Sequence, residues 1–183
     1  MDSFTLEKIE FDGVRRLLAD FCATFLGKSR ARAIAPSDSA EIAGKWLEQT
    51  SQMVRAIRDR GRLPFAGVCD ITGAVGRAVP GGGGSGEDYA TIASALRGAA
   101  CLGEHLRALP EELDELARLA AGIEDFLREA DAIDRVVSPD GSVRDDASEK
   151  LKKIRRETDE TARRIHDVMQ DYVRRPEVAK LLQ

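Results

Sequence analysis

Aromatic residues, cysteine and histidine are all scarce in this chain of 183 residues. Phe, Trp and Tyr make up only 5% of it, whereas a β-sandwich or barrel normally needs more aromatic and β-branched residues. The three cysteines, Cys22, Cys69 and Cys101, are odd in number and far apart, which argues against a secreted disulfide framework. The best pair for a metal is Cys101 and His105, four residues apart, but a structural zinc needs four ligands and the remaining Cys and His residues are too scattered to supply them. Neither histidine has a Ser or Cys arranged beside it for nucleophilic catalysis.

Long apolar runs are also missing. No stretch approaches the roughly 20 residues that are needed to span a bilayer. The first residues lack the basic start and the apolar segment of a signal peptide. We therefore expect a cytoplasmic protein without a membrane partner.

Charged residues are abundant at 33%, and the net charge of −4 is the sum of three regions that differ in their own net charge. Residues 1–109 carry 14 basic and 13 acidic side chains, for a net charge of +1. Residues 110–147 carry 4 and 12, for −8, and residues 148–183 carry 10 and 7, for +3. Because nucleic-acid-binding surfaces are usually basic, only the last region is a candidate for such a surface.

Two glycine-containing stretches match nucleotide-binding motifs only superficially. The Gly-Lys-Ser at 27–29 lacks the earlier glycine of a P-loop, because Cys22 occupies that position. Residues 81–86 match G-x-G-x-x-G, but no buried strand precedes them and two acidic residues follow. We interpret residues 80–86 as a flexible connector and predict no cofactor site in the chain.

The spacing of apolar residues predicts an all-α fold, a helical bundle. The first long helix is predicted to follow Asp12 as its N-cap, with an inward stripe from Phe11 to Phe21. The next is predicted to follow Asp38 and to stop at Gly61. Its predicted inward residues are Ile42, Trp46, Met53, Val54 and Ile57.

The residue pattern in the middle of the chain predicts several helices and one β element. A long helix is predicted to end at Pro110, and the acidic stretch after it to be broken near Gly122. Two short β-prone runs around a Pro-Asp-Gly turn predict a β-hairpin near 136–143.

A long protruding C-terminal helix is predicted from Ser148 to about Arg174. Its apolar stripe is narrow and includes Thr158 and Ala162, so it buries less than the stripe of a core helix. We expect this helix to leave the bundle or to pair with a partner helix. The chain is therefore divided into a helical core, 1–147, and the truncated start of a long helix, 148–183.

This last helix offers the only candidate binding surface, since its basic side chains could contact phosphates. The alternative is a solvated face stabilised by the i,i+4 ion pairs Glu149–Lys153, Asp159–Arg163 and Glu160–Arg164. No catalytic or metal-ligating residue is predicted. The candidate nucleic-acid contacts are Lys152, Lys153, Arg155, Arg156, Arg163 and Arg164.

The chain resembles the bacterial MutS-II family, the MutS paralogue without a mismatch-recognition domain. The resemblance starts with TLEKIEFD at 5–12, continues through LPFAGVCDI at 63–71, and is strongest at DGSVRDDAS, 140–148. It implies that the chain is the first half of the core-and-lever domain. The long helix would then begin the lever that leads to the DNA clamp.

The resemblance also implies what the parent protein does. The family's proteins are homodimeric ATPases, usually with a C-terminal nuclease domain, that act on branched DNA, suppress recombination or process collided ribosomes. Its ATP and Mg sites would lie beyond Gln183, so we expect no enzymatic activity from this fragment. The full-length protein would bind DNA or the ribosome, and the main partner of this segment would be the rest of its own polypeptide.

Two other interpretations stay open from the sequence. The chain could be a stand-alone adaptor that dimerises through a coiled coil of its last helix, or it could be a small nucleic-acid-binding module. A tight dimer that collapses on removal of residues 148–183 would favour the adaptor. Salt-sensitive binding to branched DNA or ribosomes would favour the nucleic-acid module.

Overall fold

A computed structural model describes residues 3–174, and the named secondary-structure elements within that range are all α-helices. This confirms the all-α prediction, and the helix breaks fall near Pro110 and Gly122, as the sequence predicts. The helices within that range are α1 (Ser3–Lys8), α2 (Phe11–Phe21), α3 (Phe25–Arg32), α4 (Ala40–Arg60), α5 (Thr72–Arg77), α6 (Gly86–Arg107), α7 (Asp114–Ala121), α8 (Leu127–Asp134) and α9 (Glu149–Val173).

The β-hairpin predicted near 136–143 is not confirmed, because the segment forms no pair of strands. Val137 and Val143 make a single isolated antiparallel bridge. The pairing does not extend because α8 uses the residues before it: the amides of Val136 and Val137 both donate to the carbonyl of Ile133, at 2.9 and 2.8 Å. The segment is therefore a closed loop that joins α8 to α9.

Helix α6 is the centre of the packed part of the chain, and α5, α7 and α8 all lie against it. Small side chains allow this close approach: a Cβ built on Gly98 would lie 2.5 Å from the carbonyl oxygen of Ala66. Arg97 ties α6 to α8, with Nε 2.8 Å from Asp134 and Nη2 2.6 Å from Asp131. The buried residues of α6 are Ile92, Ala93, Ala95, Gly98, Ala100, Gly103 and Leu106.

Helix α4 joins this packed part through α7, and Gln52 makes the contact. The Gln52 residue is only 1% exposed. Its Oε1 accepts hydrogen bonds from the backbone amides of Glu115 and Leu116, at 3.0 and 3.3 Å. Its Nε2 donates to Asp114 at 2.9 Å and to Glu48 at 3.0 Å. All four hydrogen-bonding positions of the amide are thus satisfied.

The contact provides α7 with the N-cap that its own sequence lacks. The first amides of a helix have no acceptor within the helix, and no side chain next to α7 accepts from them. Gln52 serves instead, from a different helix. Its hydrogen bond, followed by the charge of Arg118, also holds the pKa of Asp114 below its usual range.

The apolar stripe predicted to face inward on α4 lies mostly at the surface. Ile42, Trp46, Val54 and Ile57 are 43–51% exposed, and only Met53 packs against the core next to α7. The adjacent strip of the same helix, which contains Gln52 and Ala56, is the one that packs.

Helices α1, α2 and α3 form a separate cluster. Both α1 and α3 pack on α2, and no member of the cluster contacts another helix within residues 3–174. The predicted inward stripe of α2 consequently faces solvent, and Phe21 at its end is 88% exposed. The accessible surface of the chain is 13994 Å², whereas a compact monomer of 20.0 kDa would expose about 8700 Å².

Residues 80–86 lead into α6 through close packing of their backbone. Ser85 caps the helix: its hydroxyl accepts from the amide of Asp88 at 3.2 Å, and the Asp88 carboxylate accepts from the Ser85 amide at 3.0 Å. The guanidinium of Arg77 and the Ser85 amide hold the pKa of Asp88 well below its usual range. Gly86 lies so close to the carbonyl of Gly141 that a Cβ would collide with it. The predicted flexibility of this connector stays a prediction.

We expect Gln52→Ala to lower the free energy of unfolding by about 2 kcal/mol, because two helix amides lose a buried acceptor. Urea denaturation followed by circular dichroism measures the change. The control is Thr50→Ala, an exposed neighbour that bonds only its own helix, and it should stay within about 0.5 kcal/mol of the unmodified chain. Equal losses from both variants would contradict the proposed role of Gln52.

We expect Gly86→Ala to destabilise the chain, because the added methyl group collides with the Gly141 carbonyl. Gly83→Ala is the matched control, since a Cβ there has no atom within 4 Å. It should be neutral or slightly stabilising, because alanine restricts the unfolded chain. Thermal unfolding compares the two variants, and a melting temperature for Gly86→Ala at or above that of Gly83→Ala would contradict the described packing.

Candidate nucleic-acid interface

The candidate interface lies on α9, which begins at a well-defined cap. The hydroxyl of Ser148 accepts a hydrogen bond from the amide of Leu151 at 3.1 Å, as expected for an N-cap. Beyond Arg155, every described residue of α9 is exposed, and the helix contacts no other helix in the part of the chain that the structure describes. This confirms the predicted protruding helix as far as Arg174.

Arg155 anchors the helix to the loop before it. Its Nη1 donates to the carbonyl of Val143 at 3.0 Å and forms a close ion pair with Asp145. The side chain is 40% exposed, so the ion pair contributes modestly to stability, but it holds the first turns of α9 against the loop. Arg155 is therefore engaged within the chain, although the sequence places it among the candidate phosphate contacts.

Two more of the six basic candidates are paired within α9. Lys153 lies 3.8 Å from Glu157, and Arg156 lies 2.9 Å from Glu160. Each pair places the base four residues before the acid. The acid-before-base pairs predicted from the sequence are wrong: none of Glu149–Lys153, Asp159–Arg163 and Glu160–Arg164 forms in the described part of α9, where Lys153 pairs with Glu157 and Glu160 with Arg156.

The remaining three candidates, Lys152, Arg163 and Arg164, are exposed and make no ion pair within residues 3–174. On an ideal helix, Lys152 and Arg163 lie within about 20° of one another and about 16 Å apart along the axis. Arg164 lies on the other flank of the polar side. The structure thus brings two of the six residues into line and leaves them free to meet an anion.

Acidic residues interrupt this basic line. Asp159 and Glu160 lie between Lys152 and Arg163 in the sequence, and Asp167 follows one turn later. A screened, mixed surface of this kind attracts phosphate weakly at physiological salt. The surface is therefore suited to an auxiliary contact more than to independent tight binding.

Other kinds of site have little support in the described region. Within residues 3–174, no three His, Cys, Asp or Glu side chains are grouped as a metal site would require. Over the same residues, no helix is long and apolar enough to cross a membrane.

No protein-family model matches the chain, but several curated proteins do. Endonuclease MutS2 of Geobacillus sp. (strain WCH70) is 32% identical over 185 residues, which cover 100% of this chain and 24% of that protein. Endonuclease MutS2 of Geobacillus thermodenitrificans is 30% identical with the same coverage. The protein of that name from Listeria monocytogenes serotype 4b is 30% identical over 95% of the chain and 22% of its own length.

These relatives share one name. The chain is similar to MutS2 endonucleases along its whole length, but it spans only about a quarter of the length of the relatives that it matches. The similarity therefore supports a MutS-derived module.

If α9 contacts phosphates, Lys152→Gln with Arg163→Gln should weaken DNA binding by this chain equally for all sequences. The slope of log K against log salt should become less steep by up to about two, because each lost contact removes about 0.9. Fluorescence anisotropy at several salt concentrations measures both quantities. Arg156→Gln is the control and should change them less, since Glu160 already neutralises Arg156. An unchanged slope in the double variant would contradict the assignment.

Proposed function

We propose that the chain is the N-terminal core and the first part of the lever of a MutS2-like protein. In this role it is a non-catalytic module that transmits movement between the nucleotide-binding and nucleic-acid-binding ends of the parent. The parent would be a dimeric ATPase that acts on branched DNA or collided ribosomes. Its ATP, Mg and nuclease residues would lie beyond Gln183.

One observation carries this proposal: α9 is a long helix whose first turns are held to the loop directly before it. The Ser148 cap and the Arg155 contacts fix its start, and 25 residues give it a length of about 37 Å. Such a helix moves as a rigid rod when its base moves. The match to MutS2 proteins over the whole chain supports the same role.

The exposed apolar faces support a module that is covered by further protein. Large apolar side chains of α2 and α4 lie at the surface in rows, as Leu17 and Trp46 illustrate at 64% and 47% exposure. Soluble monomers rarely expose contiguous apolar surface of this kind. A parent about four times as long has ample chain to bury these faces.

The gene beyond codon 183 tests the proposal most directly. We expect an in-frame continuation that encodes a strand and then a P-loop. A stop codon directly after Gln183 would contradict the proposal and favour the stand-alone adaptor.

Within the continuing protein, Arg155→Ala should reduce the stimulation of ATP hydrolysis by DNA, because it loosens the base of α9. Basal hydrolysis and DNA affinity should stay unchanged. Arg156→Ala is the matched control, since it removes the neighbouring guanidinium and a pair that lies entirely within the helix. Equal stimulation in the two variants would count against transmission through the Arg155 contact.

A further inference from the structure

The apolar seam of α9 has the spacing of a coiled coil. Its members alternate at intervals of three and four residues, the a and d positions of a heptad repeat. Most of its side chains are open to solvent: Ile154 is 48% exposed, and Ile165 and Val168 are each 60% exposed, whereas Leu151 is half-buried. The seam consists of Leu151, Ile154, Thr158, Thr161, Ile165 and Val168.

The two threonines at the centre of the seam are compatible with burial. The Thr158 hydroxyl donates to the carbonyl of Ile154 at 2.9 Å, and the Thr161 hydroxyl donates to that of Glu157 at 2.7 Å. Both hydroxyl donors are therefore satisfied inside the helix, and burial would leave no lost hydrogen bond. The cost of enclosing these polar residues against a second helix is small for this reason.

Charges along one flank of the seam alternate in sign. The g positions of the repeat hold Lys150, Glu157, Arg164 and Asp171, at intervals of seven residues. When the helix meets a second copy running in the opposite direction, Lys150 faces Asp171 of the other copy and Glu157 faces its Arg164. By the two-fold symmetry each pair occurs twice, and every pair joins opposite charges.

The same register aligns the apolar positions. Leu151 lies opposite Val168 of the other copy, Ile154 opposite Ile165, and Thr158 opposite Thr161. The other flank holds Arg155, Ala162 and Met169, which bring no like charges together.

A parallel arrangement fits less well. It would place Lys150 beside Arg155 of the partner, which are like charges. It would also set Glu157 against Ala162 and Arg164 against Met169, so neither charge would gain a partner. The sequence of α9 is therefore self-complementary in the antiparallel direction only.

We propose that two copies of this chain associate through antiparallel pairing of their α9 helices. A second α9 thus covers the exposed seam, because the charges at the g positions favour pairing with another copy of the same helix. The two threonine layers bury little apolar surface, so the association is weak and reversible. The proposal concerns the 183-residue chain itself and does not depend on the function proposed above.

Charge exchange tests the pairing on the intact chain. Glu157→Lys sets an ammonium group opposite Arg164 of the other copy, and Arg164→Glu sets a second carboxylate opposite Glu157. Each single variant should shift sedimentation equilibrium towards monomer at concentrations where the unmodified chain dimerises. An equimolar mixture of the two variants should form dimers again, because each then meets its opposite charge.

The matched control is Glu160→Lys. It makes the same change and also removes one i,i+4 pair, but it lies outside the seam and its flanks, so dimerisation should be retained. Circular dichroism confirms that each variant keeps its helix content. A monomeric unmodified chain, a mixture that stays monomeric, or equal effects of Glu157→Lys and Glu160→Lys would overturn the proposal. A dimer found together with a stop codon after Gln183 would uphold the pairing and reject the MutS2-like parent.

Discussion

A single buried amide, that of Gln52, is the main polar contact between α4 and the helices packed around α6. Gln52 closes the start of α7 and joins α4 to the helices around α6, with acceptors and donors matched on both sides. Apolar contact between these two helices is limited: among the described residues, the cluster has three buried members, Ala56, Leu113 and Leu116, with Met53 and Leu109 packed against them. A polar interaction of this kind is directional, so it determines the position of α4 on α7 as well as its attachment.

The rest of the packing uses mainly small residues to bring helices close, and it leaves many large apolar residues outside. The buried residues of α6 are mostly alanine and glycine, while Phe21, Trp46 and Ile165 face solvent. Small residues inside and large apolar residues outside are both expected if the chain is one part of a larger protein, as proposed above. The packed centre needs few large side chains, and the outer faces carry those that other protein would cover.

Sequence periodicity predicts where helices begin and end but does not indicate which face is buried. Ser148 and Gly61 start and end their helices as predicted, because capping is local chemistry. The predicted caps Asp12 and Asp38 are each displaced by one or two residues, to Glu10 and Ser39. Nothing in the sequence predicts that Gln52 is buried against α7, since a polar residue in a helix normally faces solvent. Likewise, the roles of Arg155 and Gly86 depend on distant loops.

The contact between Gly86 and Gly141 has a mechanical consequence. In this contact backbone meets backbone, with no side chain between them that could change its conformation. The loop before α9 therefore lies directly against the start of α6. Helix α9 begins eight residues after Gly141 and is about 37 Å long. If α9 rotated by roughly 5° about its first turn, its far end would move by about 3 Å, which is more than half the pitch of a helical turn. A small movement at the base would thus be amplified along the length of the helix.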